Sequence, residues 1–229
     1  MKFKVNRNHF FNGLSSVTNV VGNRATMPIL QNVLIEAEGD TITLTTTNLD
    51  LGICCRIKAA VSSPGRITLP VKKLVPIIRA LSSAETIVEL TGKDRVKITS
   101  GSSVFQIAGL PADQFPPISN FAGQPTIAID QDNLGSMLRK VSYAQSTDEN
   151  RYILNGVFFE FSSGKLTLVA TDGRRLAKCE QKLEGSEKTL ALILPARTIT
   201  ELSRLHWLFV IARGSSFLFR GGDAKLDEV

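Results

Sequence analysis

The chain has 229 residues, of which 43% are hydrophobic and 21% are charged, and its formal net charge is +6. This length suits one large or two small folded domains, and no apolar run approaches the ~20 residues that a membrane-spanning helix needs. Three cysteines without CxxC spacing argue against a disulfide framework or a zinc site, and the polar N-terminus lacks the apolar stretch of a secretory signal, so we expect a cytoplasmic protein.

The first half of the chain predicts a strand, a helix, a group of strands, a second helix and further strands. Asn6 suits a helix N-cap, and apolar residues then recur at helical spacing at positions 10, 14, 17, 20 and 21. Pro70 suits the first turn of the second helix, within 69–81, which Pro76 is expected to kink or shorten. The predicted strands of this half are 33–37, 41–47, 53–60, 86–90, 95–100 and 104–110.

The second half repeats this pattern at a fixed spacing. Residues 28–55 align with residues 152–179 without a gap at an offset of 124, and 69–81 matches 194–205 at an offset of 125. Such self-similarity is the sequence signature of a duplicated module. Asp130 takes the N-cap place of Asn6. The identical pairs are Ile29/Ile153, Leu30/Leu154, Val33/Val157, Glu36/Glu160, Thr43/Thr167, Leu44/Leu168, Thr47/Thr171 and Cys55/Cys179.

These patterns predict an α+β fold of two tandem modules, each with two helices on one face and antiparallel sheets on the other. Module I spans residues 1–118, a Pro-rich linker spans 119–125, and module II spans 126–229. Strands of module II are predicted at 157–161, 165–171 and 175–181, with Gly39-Asp40 and Ser163-Gly164 as matching hairpin turns. The end of module II reads as incomplete, because the chain departs from the repeat after Leu205.

Cations occupy matched positions on the predicted helices. Lys72 corresponds to Arg197 and Arg79 to Arg204, and each pair is spaced i, i+7, on one helix face. The first helices of the two copies add Arg7, Arg139 and Lys140. An ordinary solvated face explains isolated cations, but their repetition favours a surface that follows DNA phosphates.

Nothing in the sequence points to an enzyme, a cofactor or a metal site. The chain has no P-loop, GxGxxG, HExxH or GxSxG motif, and His9 and His206 have no partner pattern. Asp172, which lies beside a glycine in Thr-Asp-Gly, is interpreted as a turn residue rather than a catalytic acid.

Both halves resemble one known family. Residues 151–160 and 169–180 closely resemble the second domain of the bacterial DNA polymerase III β subunits, the sliding clamps, and 24–36, 69–74 and 105–116 resemble the first domain. The resemblance implies a non-catalytic subunit of the DNA polymerase III holoenzyme, located at the nucleoid, that encircles double-stranded DNA and confers processivity in DNA replication. It also implies three modules per chain and a head-to-tail homodimer with helices lining the hole.

The resemblance assigns three groups of residues. Phe105 would lie at the subunit interface. A groove for the clamp-binding peptides of the polymerase catalytic subunit and the clamp loader would include Leu154, Thr171, Gly173, Arg174, Arg175 and Leu176. Together with the helix cations, the DNA-facing set is Arg24, Lys72, Lys73, Arg79, Arg139, Lys140, Arg151, Tyr152, Arg197 and Arg204.

The sequence shows no third module, which in the family completes both the ring and the peptide groove. We therefore expect truncation to impair ring closure. The alternatives are a fragment that binds DNA or peptides without ring closure, an inactive remnant, and a trimer of two-module chains that forms a ring of six modules.

Overall fold

A computed structural model describes residues 1–21, 27–49, 51–117, 129–148, 150–151, 153–183, 189–203, 209–213 and 216–221. The chain divides into two compact units. Unit 1 comprises Met1–Ala122 and Leu218–Val229, and unit 2 comprises Gly123–Phe217. Each unit combines helices with antiparallel sheet, so the predicted α+β class is confirmed. No helix in the described part of the chain is long and apolar enough to cross a membrane.

Unit 1 contains the helices α1 (Arg7–Thr18) and α2 (Val71–Ala80). Its strands in chain order are β1 (Lys2–Asn6), β2 (Asn32–Glu38), β3 (Thr41–Thr47), β4 (Gly52–Lys58), β5 (Ala60–Ser63), β6 (Gly65–Pro70), β7 (Glu85–Gly92), β8 (Arg95–Ser100) and β9 (Ser103–Ala108). One antiparallel sheet has the order β5-β1-β7-β8-β9, and the other contains β4-β3-β2-β6.

The first helix begins and packs as its sequence predicts. The Asn6 side chain accepts hydrogen bonds from the backbone N–H groups of Asn8 and His9, so it caps α1. The helix lies against α2, β3 and β4. A Cβ at Gly13 would lie 2.3 Å from Ile57 Cδ1, so this glycine permits the close approach of α1 to the sheet. The fully buried apolar side chains of the helix are Phe10, Leu14 and Val17.

Two predicted elements of unit 1 differ from the structure. The strand predicted at 53–60 is divided between β4 and β5, because the Ala59 N–H donates to the Asp40 carbonyl at 2.8 Å and β5 pairs with β1 in the other sheet. The helix α2 runs through Pro76 over ten residues, so the proline does not shorten it, which was one of the two expected effects. The carbonyl that Pro76 leaves without a donor is that of Lys72, an exposed residue in the first turn of the helix, where solvent can supply a donor.

Unit 2 contains α3 (Gln131–Val141), α4 (Ala196–Leu202) and the strands β10 (Gly156–Ser162), β11 (Lys165–Thr171), β12 (Leu176–Lys182) and β13 (Leu190–Pro195). The strands form an antiparallel sheet in the order β12-β11-β10-β13. Asp130 accepts from the Asn133 N–H at 2.9 Å and caps α3, as predicted. Ser163 and Gly164 have φ angles of 50° and 68°, which is typical of the predicted two-residue hairpin turn.

The last described strands are β14 (Phe209–Arg213) and β15 (Ser216–Gly221). The sequence assigns this segment to module II, but Leu218–Gly221 lie in unit 1, where they pair in parallel with Gly52–Cys55 of β4. The physical reason is the open edge of β4: β3 occupies one side of that strand, and an unpaired edge offers its N–H and C=O groups to another strand.

Candidate DNA-facing and partner-binding surfaces

The described cations of the predicted DNA-facing set lie on exposed helix surfaces or in an exposed turn. In α2, the buried residues are Val71, Leu74 and Ile78, which follow the i, i+3, i+7 spacing of one helix face. The cations lie outside that face. The exposed members of the set are Lys72, Lys73, Arg79, Arg139, Lys140, Arg151 and Arg197. The other three members, Arg24, Tyr152 and Arg204, lie outside the described residues.

Arg7 differs from these cations because its guanidinium is committed to the fold. Its Nε donates to the Ile78 carbonyl at 3.2 Å, and its Nη2 donates to the carbonyl of Arg79. These carbonyls belong to the last turn of α2, where no intrahelical donor remains and where a positive charge is favourable. Arg7 therefore ties α1 to the end of α2, and its charge is partly satisfied within the fold.

Phe11 supports the cation at the end of α2. The guanidinium carbon of Arg79 lies 5.3 Å from the centre of the Phe11 ring, and that of Arg7 lies 6.0 Å from it. Both distances fall within the range of cation–π attraction. Arg79 is therefore held at the exposed surface of α1 and α2 by an aromatic ring that the sequence analysis missed. The i, i+4 spacing of Arg7 and Phe11 on one helix was the available signal.

Five of the six residues predicted for the peptide groove, all except Leu154, lie at one hydrogen-bonded turn between β11 and β12. Thr171 Oγ1 accepts from the Gly173 N–H at 3.1 Å and donates to the Arg175 carbonyl at 2.7 Å. Gly173 has a φ of 88°, in the left-handed region that glycine adopts most readily. The turn thereby fixes the backbone position of Arg174, Arg175 and Leu176.

Asp172 holds this turn together. Its Oδ1 accepts from the backbone N–H groups of Arg174 at 2.9 Å and Arg175 at 3.0 Å, and its Oδ2 accepts from Arg175 Nε at 3.0 Å. These bonds, first of all the one from the Arg174 N–H, hold the pKa of the Asp172 carboxyl below its usual value. Asp172 is thus the structural turn residue that its place beside a glycine predicts.

Exposed apolar side chains accompany the turn. Leu176 is 64% exposed, Tyr143 is 60% exposed, and the Arg175 guanidinium carbon lies 5.7 Å from the Tyr143 ring centre. Leu154 is half-buried, and its carbonyl accepts from the Ser146 N–H at 2.9 Å. Sequence analysis missed Tyr143, which follows α3 in a short 3-10 turn that contacts β11 and β12. The name partner patch is used below for Tyr143, Leu154, Thr171, Gly173, Arg174, Arg175 and Leu176.

Arg151 lies beside the partner patch. Its Nε is 3.5 Å from Asp148 Oδ2, and a Cβ at Gly173 would lie 3.9 Å from Arg151 Nη1. The Arg151 carbonyl also accepts from the N–H groups of Leu154 and Asn155. The residue that the family resemblance assigns to DNA is therefore next to the turn that it assigns to partner peptides.

Unit 1 contains a second copy of the turn. Thr47 Oγ1 accepts from the Leu49 N–H at 3.0 Å and donates to the Leu51 carbonyl at 3.1 Å, and Asn48 Oδ1 accepts from the Leu51 N–H at 2.8 Å. Leu49 occupies the place of Gly173 with a φ of 80°. The duplication seen in the sequence thus extends to individual hydrogen bonds.

Phe105 lies on β9, the edge strand of its sheet. It is 37% exposed, and its neighbour Val104 is 54% exposed. In the register of the sheet Phe105 stands opposite Ile98, which is fully buried. The residue predicted for a subunit interface therefore continues a row of core residues to the open edge of the sheet.

The described residues contain no group of three or more histidine, cysteine or acidic side chains placed to hold a metal ion. Cys54, Cys55 and Cys179 are half-buried and are not part of disulfide bonds.

Comparison with known proteins identifies the family. The profile of the DNA polymerase III beta subunit, N-terminal domain, matches residues 1–119, and the profile of the central domain of that subunit matches residues 128–207. The chain is 38% identical over 212 residues to the beta sliding clamp of Caulobacter vibrioides and 35% identical over 207 residues to that of Salmonella typhimurium. These matches cover 90% of this chain and 57% and 56% of the two relatives, so the chain spans little more than half of their length.

Solved structures of bacterial sliding clamps share the fold of this chain. The DNA polymerase sliding clamp of Bacillus subtilis superposes with a TM-score of 0.91 at 28% identity, over 96% of this chain and 61% of that one. Caulobacter crescentus pol III beta gives 0.88 at 35% identity, over 97% and 63%. Two consecutive domain profiles, the duplicated turn and the shared fold lead to one conclusion: this chain belongs to the DNA polymerase III beta subunit family, the bacterial sliding clamps.

Proposed function

We propose that this chain acts as a sliding-clamp subunit, a non-catalytic protein that holds duplex DNA through its basic helices and tethers replication proteins to it. The observation that carries the proposal is the family membership of both units, whose helices present exposed cations at the matched positions of Lys72 and Arg197. The proposed partners are double-stranded DNA, the polymerase catalytic subunit and the clamp loader.

The charge pattern of the helices supports a DNA-facing role. α2 carries Lys72, Lys73 and Arg79 with no acidic residue in its ten positions, and α3 ends with Arg139 and Lys140. Lysine and arginine side chains on helix surfaces reach phosphates without reading bases, so they supply affinity without sequence preference. A clamp that slides needs contacts of this weak and repeated kind.

A salt titration tests the DNA-facing surface. We expect Lys73→Glu to weaken binding to a fluorescent DNA duplex and to reduce the slope of log K against log [salt] by about 1, the value for one lost phosphate contact. Lys93→Glu, in the exposed turn between β7 and β8, is the matched control with the same change in charge. Equal losses for the two variants would mean that net charge, and not a defined helix face, attracts DNA.

The partner patch supports the tethering role. Leu176 and Tyr143 expose apolar surface that a soluble protein commonly uses for binding. The adjacent turn is fixed by Thr171 and Asp172, so the peptide would meet a preformed surface.

A fluorescent clamp-binding peptide of the polymerase tests this surface. We expect Leu176→Ala to weaken binding about tenfold, because a peptide that covers this side chain removes much of its exposed area from water. Leu49→Ala is the matched control, since Leu49 is an equally exposed leucine, 59% against 64%. Unchanged affinity in Leu176→Ala and in Arg175→Ala would remove the patch from the proposed function.

Encirclement of DNA is proposed with Phe105 at the contact between subunits. Light scattering distinguishes one chain of 24.9 kDa from an assembly, and retention on closed circular DNA but not on linear DNA at raised salt demonstrates a ring. A single-chain mass with equal retention on both DNAs would favour the alternative, a fragment that binds DNA or peptides without ring closure. For Phe105→Asp, we expect loss of any assembly that forms through the edge of β9.

A further inference from the structure

Three of the four sheet edges of unit 1 are short or occupied. The outer edge of β6 meets Leu110, which exchanges backbone hydrogen bonds with Thr68 at 3.1 and 3.0 Å. A short 3-10 turn then places Phe115 over Ile29 and Leu30. The edge of β4 pairs with β15, and the edge strand β5 has four residues. Short or covered edges limit unwanted pairing with other strands.

The fourth edge, that of β9, lacks this protection. Within the described part of the chain, β9 has β8 as its single neighbouring strand, and the two pair over six residues without a register shift. The strand contains no charged residue and no proline, which are the residues that commonly block an edge. Val104 is 54% exposed and Phe105 is 37% exposed. A regular, uncharged edge with exposed apolar side chains is typical of a strand that pairs with another chain.

The repeat partner of β9 is the strand that covers β4. Residues 101–109 align without a gap with residues 214–222 at an offset of 113, shorter than the offsets of 124 and 125 in the earlier segments. At this offset the bounds of β9, Ser103–Ala108, fall on the bounds of β15, Ser216–Gly221. The identical pairs are Gly101/Gly214, Ser102/Ser215, Ser103/Ser216 and Gly109/Gly222.

The edge that β15 covers also has a repeat partner. At the offset of 124, β4 (Gly52–Lys58) falls on β12 (Leu176–Lys182). β15 pairs with the first half of β4, Gly52–Cys55. The matching half of β12, Leu176–Cys179, contains one charge, that of Lys178, and Leu176 is 64% exposed. Among the described strands, β11 alone pairs with β12.

β9 and β12 are therefore the repeat partners of a strand and an edge that pair with each other. They lie in separate sheets of the chain, and each presents exposed apolar side chains. Because one chain carries both members of the pair, the repeat identifies a second copy of this chain as the partner of each edge.

From these matches we propose that the chain associates head to tail with a second copy of itself, by pairing β9 of one copy with the free edge of β12 of the next, as β15 pairs with β4. The contact is heterologous, because two different edges meet, so it repeats from copy to copy. Val104, Phe105 and Leu176 move from water into the contact. The inference rests on the proposed function for Phe105 as a subunit contact, and it deepens that function by naming β12 as the surface that the strand of Phe105 meets.

The association of the full chain is measured by light scattering over a series of concentrations. We expect the average mass to rise above the single-chain value of 24.9 kDa. Phe105→Asp and Leu176→Asp should each stay at that value, because a charge at a strand edge opposes pairing. Ile87→Asp is the matched control, since Ile87 is also 37% exposed but lies on β7 between β1 and β8, and it should associate like the parent chain. A parent chain that stays single at every concentration overturns the proposal.

Mixing the two variants separates a head-to-tail contact from a symmetric one. Phe105→Asp keeps an intact β12 edge and Leu176→Asp keeps an intact β9 edge, so the mixture should form complexes that stop at two chains. Recovery in the mixture also shows that both variants are folded. A contact of β9 with β9 would survive in Leu176→Asp alone, and a contact of β12 with β12 would survive in Phe105→Asp alone. Either result overturns the proposal.

A photoreactive benzoylphenylalanine in place of Phe105 locates the contact without a measurement of mass. Mass spectrometry of a mixture of isotopically labelled and unlabelled chains should find cross-links from position 105 of one copy to residues 176–179 of another. Cross-links confined to other segments overturn the proposal. The mixing and cross-linking experiments contain no DNA and no partner peptide. Failure of the edge contact is therefore distinguished from failure of the clamp role, which appears as loss of DNA or peptide binding in the parent chain.

Discussion

Leu49→Gly and Gly173→Ala are opposite changes at one duplicated position. Both residues have a left-handed backbone, with φ of 80° and 88°. This conformation costs a residue with a side chain about 1–2 kcal/mol, and glycine pays about 0.5–1 kcal/mol more than alanine in backbone entropy on folding. Because Leu49 is 59% exposed, it contributes little packing. We therefore expect Leu49→Gly to stabilise unit 1 by about 0.5–1 kcal/mol and Gly173→Ala to destabilise unit 2 by a similar amount.

Sterics do not obscure this comparison. A Cβ at Gly173 would lie 3.9 Å from its nearest neighbour, Arg151 Nη1, which is ordinary van der Waals contact. Gly92→Ala is the control, because a Cβ there meets nothing within 4 Å and its φ lies outside the left-handed region. Gly39→Ala, with equally open space but a φ of 60°, should behave like Gly173→Ala.

Calorimetry measures both changes. A shift of about 0.5–1 kcal/mol moves the melting temperature of a domain of roughly 100 residues by about 2–8 °C, upward for Leu49→Gly and downward for Gly173→Ala and Gly39→Ala. Destabilisation by Leu49→Gly would show that the leucine side chain packs in a way that outweighs the backbone cost. The reasoning would then be wrong for the whole turn.

Three further results are expected. Phe115→Ala should destabilise unit 1 by about 3–5 kcal/mol in urea unfolding, with Val104→Ala, at an edge residue that is 54% exposed, as control. Arg7→Ala should lower the free energy of unfolding by roughly 1–2 kcal/mol through the lost bonds to the end of α2, and Arg7→Lys should recover part of it. Equal stability of the parent chain and the two variants would refute the capping role. Since the folded pKa of Asp172 is lowered from 3.8, its stabilisation is complete well above pH 4 and is lost as the pH falls through the lowered value. The difference in melting temperature between the parent chain and Asp172→Asn should therefore shrink on acidification, and a constant difference would contradict it.

Local signals in the sequence were sufficient for most elements of the fold. The strands 41–47, 95–100 and 165–171 were predicted with the bounds that the structure has, because alternating apolar residues end there at turns rich in glycine and polar residues. The caps Asn6 and Asp130 were likewise predicted from residue type and place. Such features depend on neighbours within a few positions along the chain.

Features that depend on distant contacts were not predicted. The break at Ala59 follows from a hydrogen bond to Asp40 and from pairing of β5 with β1, and neither is visible in the residues around 59. The pairing of β15 with β4 has the same origin. The prediction for Pro76 considered only its local effect on the helix. The carbonyl that loses its donor lies in the first turn of α2, and this position explains why the helix continues.

The candidate surfaces show the same division. Matched spacing in the repeat identified the helix cations, but charge alone did not separate Arg7, which binds the carbonyls of α2, from the exposed cations around it. Tyr143 and Phe11 could be assigned to these surfaces only from their ring contacts with arginines in the structure. The exposure of Ile153 could not be predicted from the sequence, because its partner in the repeat, Ile29, is the same residue type and is buried.

The return of Phe115 onto Ile29 and Leu30 also affects how unit 1 forms during synthesis. The residues that close this cluster are among the last of the unit to leave the ribosome, so a nascent chain interrupted before residue 115 exposes Ile29, Leu30 and the outer edge of β6 together. Exposed apolar surface beside an unpaired strand edge promotes aggregation. Unit 1 is therefore expected to depend most on chaperones in the interval before Phe115 emerges, and ribosome-bound chains ending on either side of this residue should differ sharply in protease resistance.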